Sequence, residues 1–367
     1  MSDVKIPRKK TKINVENPKT EEITVPLIKP ILKWIGGKSQ IITKVISTFP
    51  KEMDNYHEIF LGGGSVLFAL LNEIINKKIK VKETINAYDF NCSLINMYKN
   101  MQKEPLNVYK HIDTLIKEYY QSIDNSNKDS NKDSNNDSSE SSESSDSSDE
   151  SNKDSSKESS KNKKIIINRK PKNKEEAMVS GESYYYWIRQ TYNKMNQTDK
   201  NNTKGSAYFI FLNKTCFRGM YRESLNGFNV PYGNYSKPEI VNKEHLLSVS
   251  ELIKNVNFIH MSFEESLKLV KDKDFIYMDP PYAPEKKTSF VGYTKDGFDN
   301  EFHEKLFKLC DNMKKNKIKF VMSNSYVDLV KNAFPSNLYN VEVISCKRSI
   351  NSKKPNSKTN EVLIKSF

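Results

Sequence analysis

Apolar and polar positions alternate in short, sharply broken blocks along much of the chain. Residues 55–61 (NYHEIFL) make an apolar run of strand length, cut off by three glycines at 62–64. The next eleven residues, 65–75 (SVLFALLNEII), are apolar almost throughout, which predicts a buried helix. A second strand is predicted at 84–89 (TINAYD) and a helix at 91–101 (NCSLINMYKNM). Strand, turn, helix and second strand are the first half of a doubly wound α/β sheet. Helical patterning appears again at 183–193 (SYYYWIRQTYN), and an apolar helix begins at 207–212 (AYFIFL). Strand patterning returns at 257–261, 274–279, 318–323, 341–345 and 361–367, so the predicted sheet is split around a middle block.

The pattern vanishes between residues 124 and 160, where every side chain is Ser, Asp, Asn, Glu or Lys. Such a tract buries too little apolar surface to offset its ordering entropy and is predicted to be a disordered loop. Residues 1–24, polar and basic with PRKKTK at 7–12, read as a disordered arm, and order is expected from about Pro26.

Composition sharpens this picture at two points. The net charge is +13, but the acidic tract alone carries 11 acids and 4 lysines, which leaves +20 on the rest. A basic body of that kind suits a polyanionic partner, because each Lys or Arg near a phosphate releases a condensed counterion. The four cysteines (Cys92, Cys216, Cys310, Cys346) are far apart with no C-x-x-C, which argues against a disulfide framework or a zinc knuckle and fits a reducing compartment. No run reaches the length of a membrane span and the polar start is not a signal peptide, so secretory and membrane classes are not expected.

The sharpest chemical signal is Asp279-Pro280-Pro281-Tyr282, placed just after an apolar strand. At about 5% usage per residue, four specified residues recur by chance in about 0.2% of chains this long. The carboxyl end of a strand is where open α/β sheets bind ligands. An amine conjugated with a ring is nearly planar and a poor nucleophile. A carboxylate and a backbone carbonyl, each accepting one amino hydrogen, would draw it toward tetrahedral. Asp279 and the carbonyl of Pro280 suit those roles, and Tyr282 offers a face on which a base can stack.

Two further segments point to a cofactor. Gly62-Gly63-Gly64 follows a strand and opens a helix, which permits close backbone approach, though Leu67 stands where a third fingerprint glycine would be. Asp89 lies 25 residues past Gly64 at the tip of the next strand, where an acid grips ribose hydroxyls. Residues 33–39 (KWIGGKS) resemble the end of a phosphate-binding loop, but the required glycine is Leu32 and the spacing fails. Trp34 and Lys38 remain as a wall for the same pocket. In the middle block, residues 211–235 set Lys214, Arg218 and Arg222 among Phe217, Tyr221, Phe228, Tyr232 and Tyr235. Arginine suits bidentate contact with guanine, and aromatics stack on exposed bases; an aromatic minicore with a cationic rim has the same composition.

Taken together, LKWIGGK (32–38), EIFLGGGSV (58–66), YDFNCSLINMY (88–98), FNVPYG (228–233), DPPYAP (279–284), SFVGYT (289–294), SNS (323–325) and KRSINS (347–352) resemble the Dam family of DNA adenine methyltransferases. The resemblance implies a Rossmann-like methyltransferase sheet with an antiparallel last strand and an inserted, mostly helical target-recognition domain. With the basic arm 1–24 and a low-complexity insert 116–170, which is foreign to the compact members of that family, the expected organisation is a catalytic domain in two parts (25–115 and 255–367) and a recognition domain 171–254. S-adenosyl-L-methionine is the implied cofactor, held by Trp34, Lys38, Asp89, Asp279 and the backbone around Phe60, Gly62 and Gly64. Duplex DNA is the implied partner, contacted by Lys33, Arg222, Pro231 and Met220, with Arg218 expected beside them from its own side chain. Arg218 stands where relatives have asparagine, and Tyr221 where a small residue is common.

The resulting expectation is a site-specific methyltransferase acting on the 6-amino group of adenine at a GATC-like site. The target base would leave the helix stack, with Asp279, Pro280 and Tyr282 as catalytic residues. Methylation of the 4-amino group of cytosine, and a DNA-binding regulator without turnover, stay open at this stage. The expected protein is an intracellular monomer that needs no metal and no membrane, found wherever the DNA is: a bacterial cytoplasm, or the cytoplasm or nucleus of a host if a large DNA virus encodes it. A cognate restriction endonuclease is left open.

Overall fold

The structure, a computed structural model, describes residues 26–131, 167–236, 238–284, 298–347 and 358–367. The basic arm, most of the acidic tract (132–166), the SFVGYT segment and nearly all of KRSINS lie outside the described residues.

Seven strands form the central sheet: β1 (Tyr56–Glu58), β2 (Ile85–Asp89), β3 (Val256–His260), β4 (Phe275–Met278), β5 (Lys319–Ser325), β6 (Asn340–Lys347) and β7 (Lys358–Lys365). Their order is β6-β7-β5-β4-β1-β2-β3. The strands from β3 to β5 run parallel, and β7 lies antiparallel between β5 and β6. From β1 the chain steps outward to β2 and β3, then returns to the other side of β1 with β4. The strand order therefore reverses between β1 and β4, and a crevice opens at their carboxyl ends. Both the glycine turn and Asp279-Pro280-Pro281-Tyr282 follow these two strands.

The sequence makes this sheet by burying both faces. On β4, Phe275 and Tyr277 enter the core on one face while Ile276 and Met278 enter the core on the other. Continuous apolar strands of this kind are the mark of a parallel sheet covered on two sides. Against the first face packs helix α1 (Ser65–Ile75), whose bounds are those expected from its apolar run. Behind β2 come α2 (Cys92–Lys103), α3 (Pro105–Asn131), α4 (Gly181–Lys194), α5 (Thr203–Thr215) and α6 (Lys243–Leu252). Tyr119, Tyr184 and Phe211 of these helices belong to the same buried cluster as Leu70 and Tyr98 beside the sheet. The other face is covered by α7 (Asn300–Lys315) through Leu306, Phe307 and Cys310.

The insert starts later than expected. Helix α3 runs past residue 116 to Asn131, because Val108, Ile112, Leu115 and Tyr119 repeat at helical spacing and are all buried. Tyr120 Oη also donates to the Pro238 carbonyl at 2.8 Å, which ties the helix across the block.

Candidate active site

One cavity of about 1690 Å³ occupies the crevice, and Trp34, Lys38, Phe60, Gly62, Asp89, Asp279, Pro280 and Tyr282 all line it. A site for one small ligand is about 300–1,000 Å³, so there is room here for two. Gly64, also expected at the cofactor, does not line it. Gly64 caps α1 with φ +73, and a Cβ there would sit 2.9 Å from Tyr98 Oη.

Lys38 and Asp279 meet across the crevice. Lys38 Nζ lies 2.7 Å from Asp279 Oδ2 and donates to the Gly36 carbonyl at 2.5 Å, although the residue is only 3% exposed. Burial pushes the Asp279 carboxyl up to about 6, the Lys38 ammonium pulls against that rise, and Glu361 adds to it. The second oxygen is the informative one. Asp279 Oδ1 is buried and accepts no hydrogen bond among the described residues. A buried acceptor without a partner costs about 1–3 kcal/mol, so a ligand that donates to it gains by binding.

Trp34 and the glycine turn fit closely together. A Cβ on Gly62, whose φ is +50, would stand 2.9 Å from Trp34 Cδ1. Asp89 holds this turn from below: Oδ2 accepts from the Gly62 N–H at 2.9 Å and Oδ1 from the Asn91 N–H at 2.8 Å. Each oxygen keeps a lone pair for a hydroxyl donor. The following helix is capped by Asn91 rather than by Asp89: the Asn91 side chain accepts from the Leu94 N–H. Phe60 turns to the opposite side and stacks on Phe263.

The middle block supplies the outer wall. Lys33 and Arg218 line the cavity, while Arg222 and Pro231 do not. Asn213 joins the two segments: its Oδ1 accepts from the Lys33 N–H, and its Nδ2 donates to the carbonyls of Lys33 and Gly219. Lys33 Nζ sits 4.4 Å from the centre of the Tyr235 ring, and Tyr235 Oη accepts from the Arg218 N–H. Arg222 is held by Asn229, with Nε 2.6 Å from its Oδ1 and an η nitrogen 3.1 Å from its carbonyl. Pro231 is exposed, and its carbonyl accepts from the Phe217 N–H. Tyr221 stacks on Trp34 with ring centres 5.8 Å apart, which links the basic loop to the Trp34 wall of the cavity.

Three further features in or next to the site were given no individual role by the sequence. Glu58 is buried at the end of β1, takes a hydrogen bond from Tyr56 Oη at 2.7 Å, and has its carboxyl pushed up to about 8 by burial. Glu361 enters from β7 and accepts from Tyr282 Oη at 2.8 Å. The SNS segment has a clear job: Asn324 Oδ1 accepts from the Ala283 N–H and Ser325 Oγ donates to the Ala283 carbonyl. Together they clamp the turn that carries Tyr282.

Known proteins share this sequence. Residues 34–159 and 149–350 match the family model described as D12 class N6 adenine-specific DNA methyltransferase. The type II methyltransferase M.MjaIII of Methanocaldococcus jannaschii is 33% identical over 334 residues, spanning 89% of this chain and 94% of its own length. The type II methyltransferase M1.LlaDCHI of Lactococcus lactis subsp. cremoris is 27% identical over 349 residues, 93% of this chain and 96% of its own. A DNA adenine methylase of Escherichia coli is 29% identical over 170 residues, 46% of this chain and 59% of its own.

Proposed function

The chain belongs to the D12 class of N6 adenine-specific DNA methyltransferases, and from that premise we propose how its own residues perform the transfer. The methyl donor is S-adenosyl-L-methionine, which when bound supplies a methyl group already activated on a cationic sulfur. Trp34, the backbone from Phe60 to Gly62, and Asp89 hold it, with Asp89 taking the ribose hydroxyls. The residues fit such a ligand: glycine leaves space that a Cβ would fill against Trp34, and Asp89 keeps acceptor capacity.

The target adenine leaves the duplex, since its amine cannot reach the donor from inside the stack. Asp279 Oδ1 accepts one amino hydrogen and the Pro280 carbonyl the other, which frees the nitrogen lone pair. Tyr282 stacks on the base, and the released proton passes to Asp279 or to solvent. Lys38 keeps Asp279 charged inside the cavity. Lys33 faces the DNA from the catalytic domain, and Arg218, Arg222 and Pro231 face it from a recognition domain of residues 171–254 that selects a GATC-like site.

One observation carries this reading: the unpartnered Oδ1 of Asp279 in a cavity shared with Trp34 and Asp89. Sequencing with modified-base detection on DNA from cells expressing the chain should return N6-methyladenine at one short site. Asp279→Ala should abolish that mark while DNA binding persists. Turnover retained in Asp279→Ala would refute the catalytic assignment.

A further inference from the structure

We infer that Glu361 is a positioning residue for methyl transfer, fixing the Tyr282 ring on which the target adenine stacks; this rests on the stacking role proposed above for Tyr282. Tyr282 stands on a loop after β4, outside the sheet ladder, where its ring has two free torsions. Glu361 stands on β7, paired with Ser325 of β5 on one side and Ile344 of β6 on the other. The loop side chain is thus tied to the most rigid frame available, through a 2.8 Å hydrogen bond.

The acceptor being a carboxylate matters as much as its position. Hydrogen bonds to ionised groups are about twice as strong as neutral ones. Burial, with Asp279 and Glu361 nearby, keeps the Tyr282 phenol protonated, so it remains the donor. Donation to a negative group also makes the ring face more electron-rich. Adenine that has gained a methyl and not yet lost its proton is cationic, and an electron-rich ring attracts a cation. The Lys38 ammonium already lies 4.8 Å from the centre of this ring. Glu361 therefore favours the charge that develops during transfer more than it favours the bound substrate.

The test compares wild type, Glu361→Gln, Tyr282→Phe and the double variant in single-turnover methylation of an adenine-containing duplex. Glu361→Gln should lower the rate roughly tenfold or more, with KM for DNA and for the methyl donor within about twofold. Tyr282→Phe should lose a similar factor, and the double variant should be no slower than the slower single. A Glu361→Gln rate within about twofold of wild type overturns the inference, as do losses that multiply in the double variant. If circular dichroism shows Glu361→Gln unfolded, Tyr282→Phe decides from the other end of the bond. An undiminished rate there refutes it, and a loss confined to kcat supports it. A wild type that leaves adenine unmethylated sinks the underlying reading and this inference with it, whereas an active wild type with indifferent variants sinks this inference alone.

Discussion

Lys38 and Asp279, supplied by distant segments of the chain, form a 2.7 Å ion pair in the crevice between β1 and β4. The pair decides the charge state of the carboxylate proposed to accept the target amine. Burial alone would keep Asp279 protonated, and a protonated carboxyl is a poorer acceptor for an amine. The ammonium opposes that, leaving a carboxyl at about 6 that is charged near neutrality.

The first prediction concerns pH. Because Asp279 must be ionised, kcat/KM should fall as pH drops through about 6 and level off above it. Lys38→Met removes the group that lowers the Asp279 pKa, so the acid limb should move upward. Profiles between about pH 5 and about pH 9 check this, and an unmoved limb would contradict the role given to Lys38.

A second prediction concerns stability and Glu58. Burial raises this carboxyl from 4.5 to about 8, the Tyr56 hydroxyl opposes the rise, and the Asp279 charge adds to it. The folded protein keeps a proton that the unfolded chain gives up. The stability Glu58 contributes is therefore whole below about 4.5 and lost as pH rises toward about 8. Glu58→Gln stays neutral throughout. Its Tm relative to wild type should increase from about pH 5 to about pH 9, and a pH-independent difference would rule the linkage out.

Gly62→Ala tests the turn. The new Cβ would meet Trp34 Cδ1 at 2.9 Å in a left-handed backbone conformation. The backbone term alone costs about 1–2 kcal/mol in unfolding free energy. KM for the methyl donor should rise more than KM for DNA, because the wall that shifts is Trp34.

Asn213→Leu tests the join between the two segments proposed to face DNA. It leaves the Lys33 N–H and two carbonyls without their partner. A stability loss of about 2–3 kcal/mol is expected in denaturant titrations. Weakened DNA binding should accompany it, with donor affinity changing less.

Much of this protein was legible in its sequence because local periods report local structure. The run 65–75 is a helix with those bounds since every residue from Val66 to Asn72 is buried, and the strand carrying Tyr277 was readable because both of its faces are apolar. Asp279, Pro280 and Tyr282 announced themselves by adjacency, and Trp34, Gly62 and Asp89 by motif. The end of α3 was missed despite a signal: the spacing of Val108, Ile112, Leu115 and Tyr119 runs on past residue 116. Family membership then decided between the two amines and against a regulator without turnover.

Other features could be decided only by the tertiary structure. Glu361 faces Tyr282 because β7 runs antiparallel between β5 and β6, and Glu58 gains its raised pKa because α/β layers close over the end of β1. Asn213 reaches Lys33 because the middle block packs back onto the segment that carries Lys33 and Trp34. Hydrophobic spacing fixes which face of an element is buried, since that depends on neighbours three or four residues away. Which distant carboxylate lies against which hydroxyl depends on strand order and direction, and no local pattern encodes that.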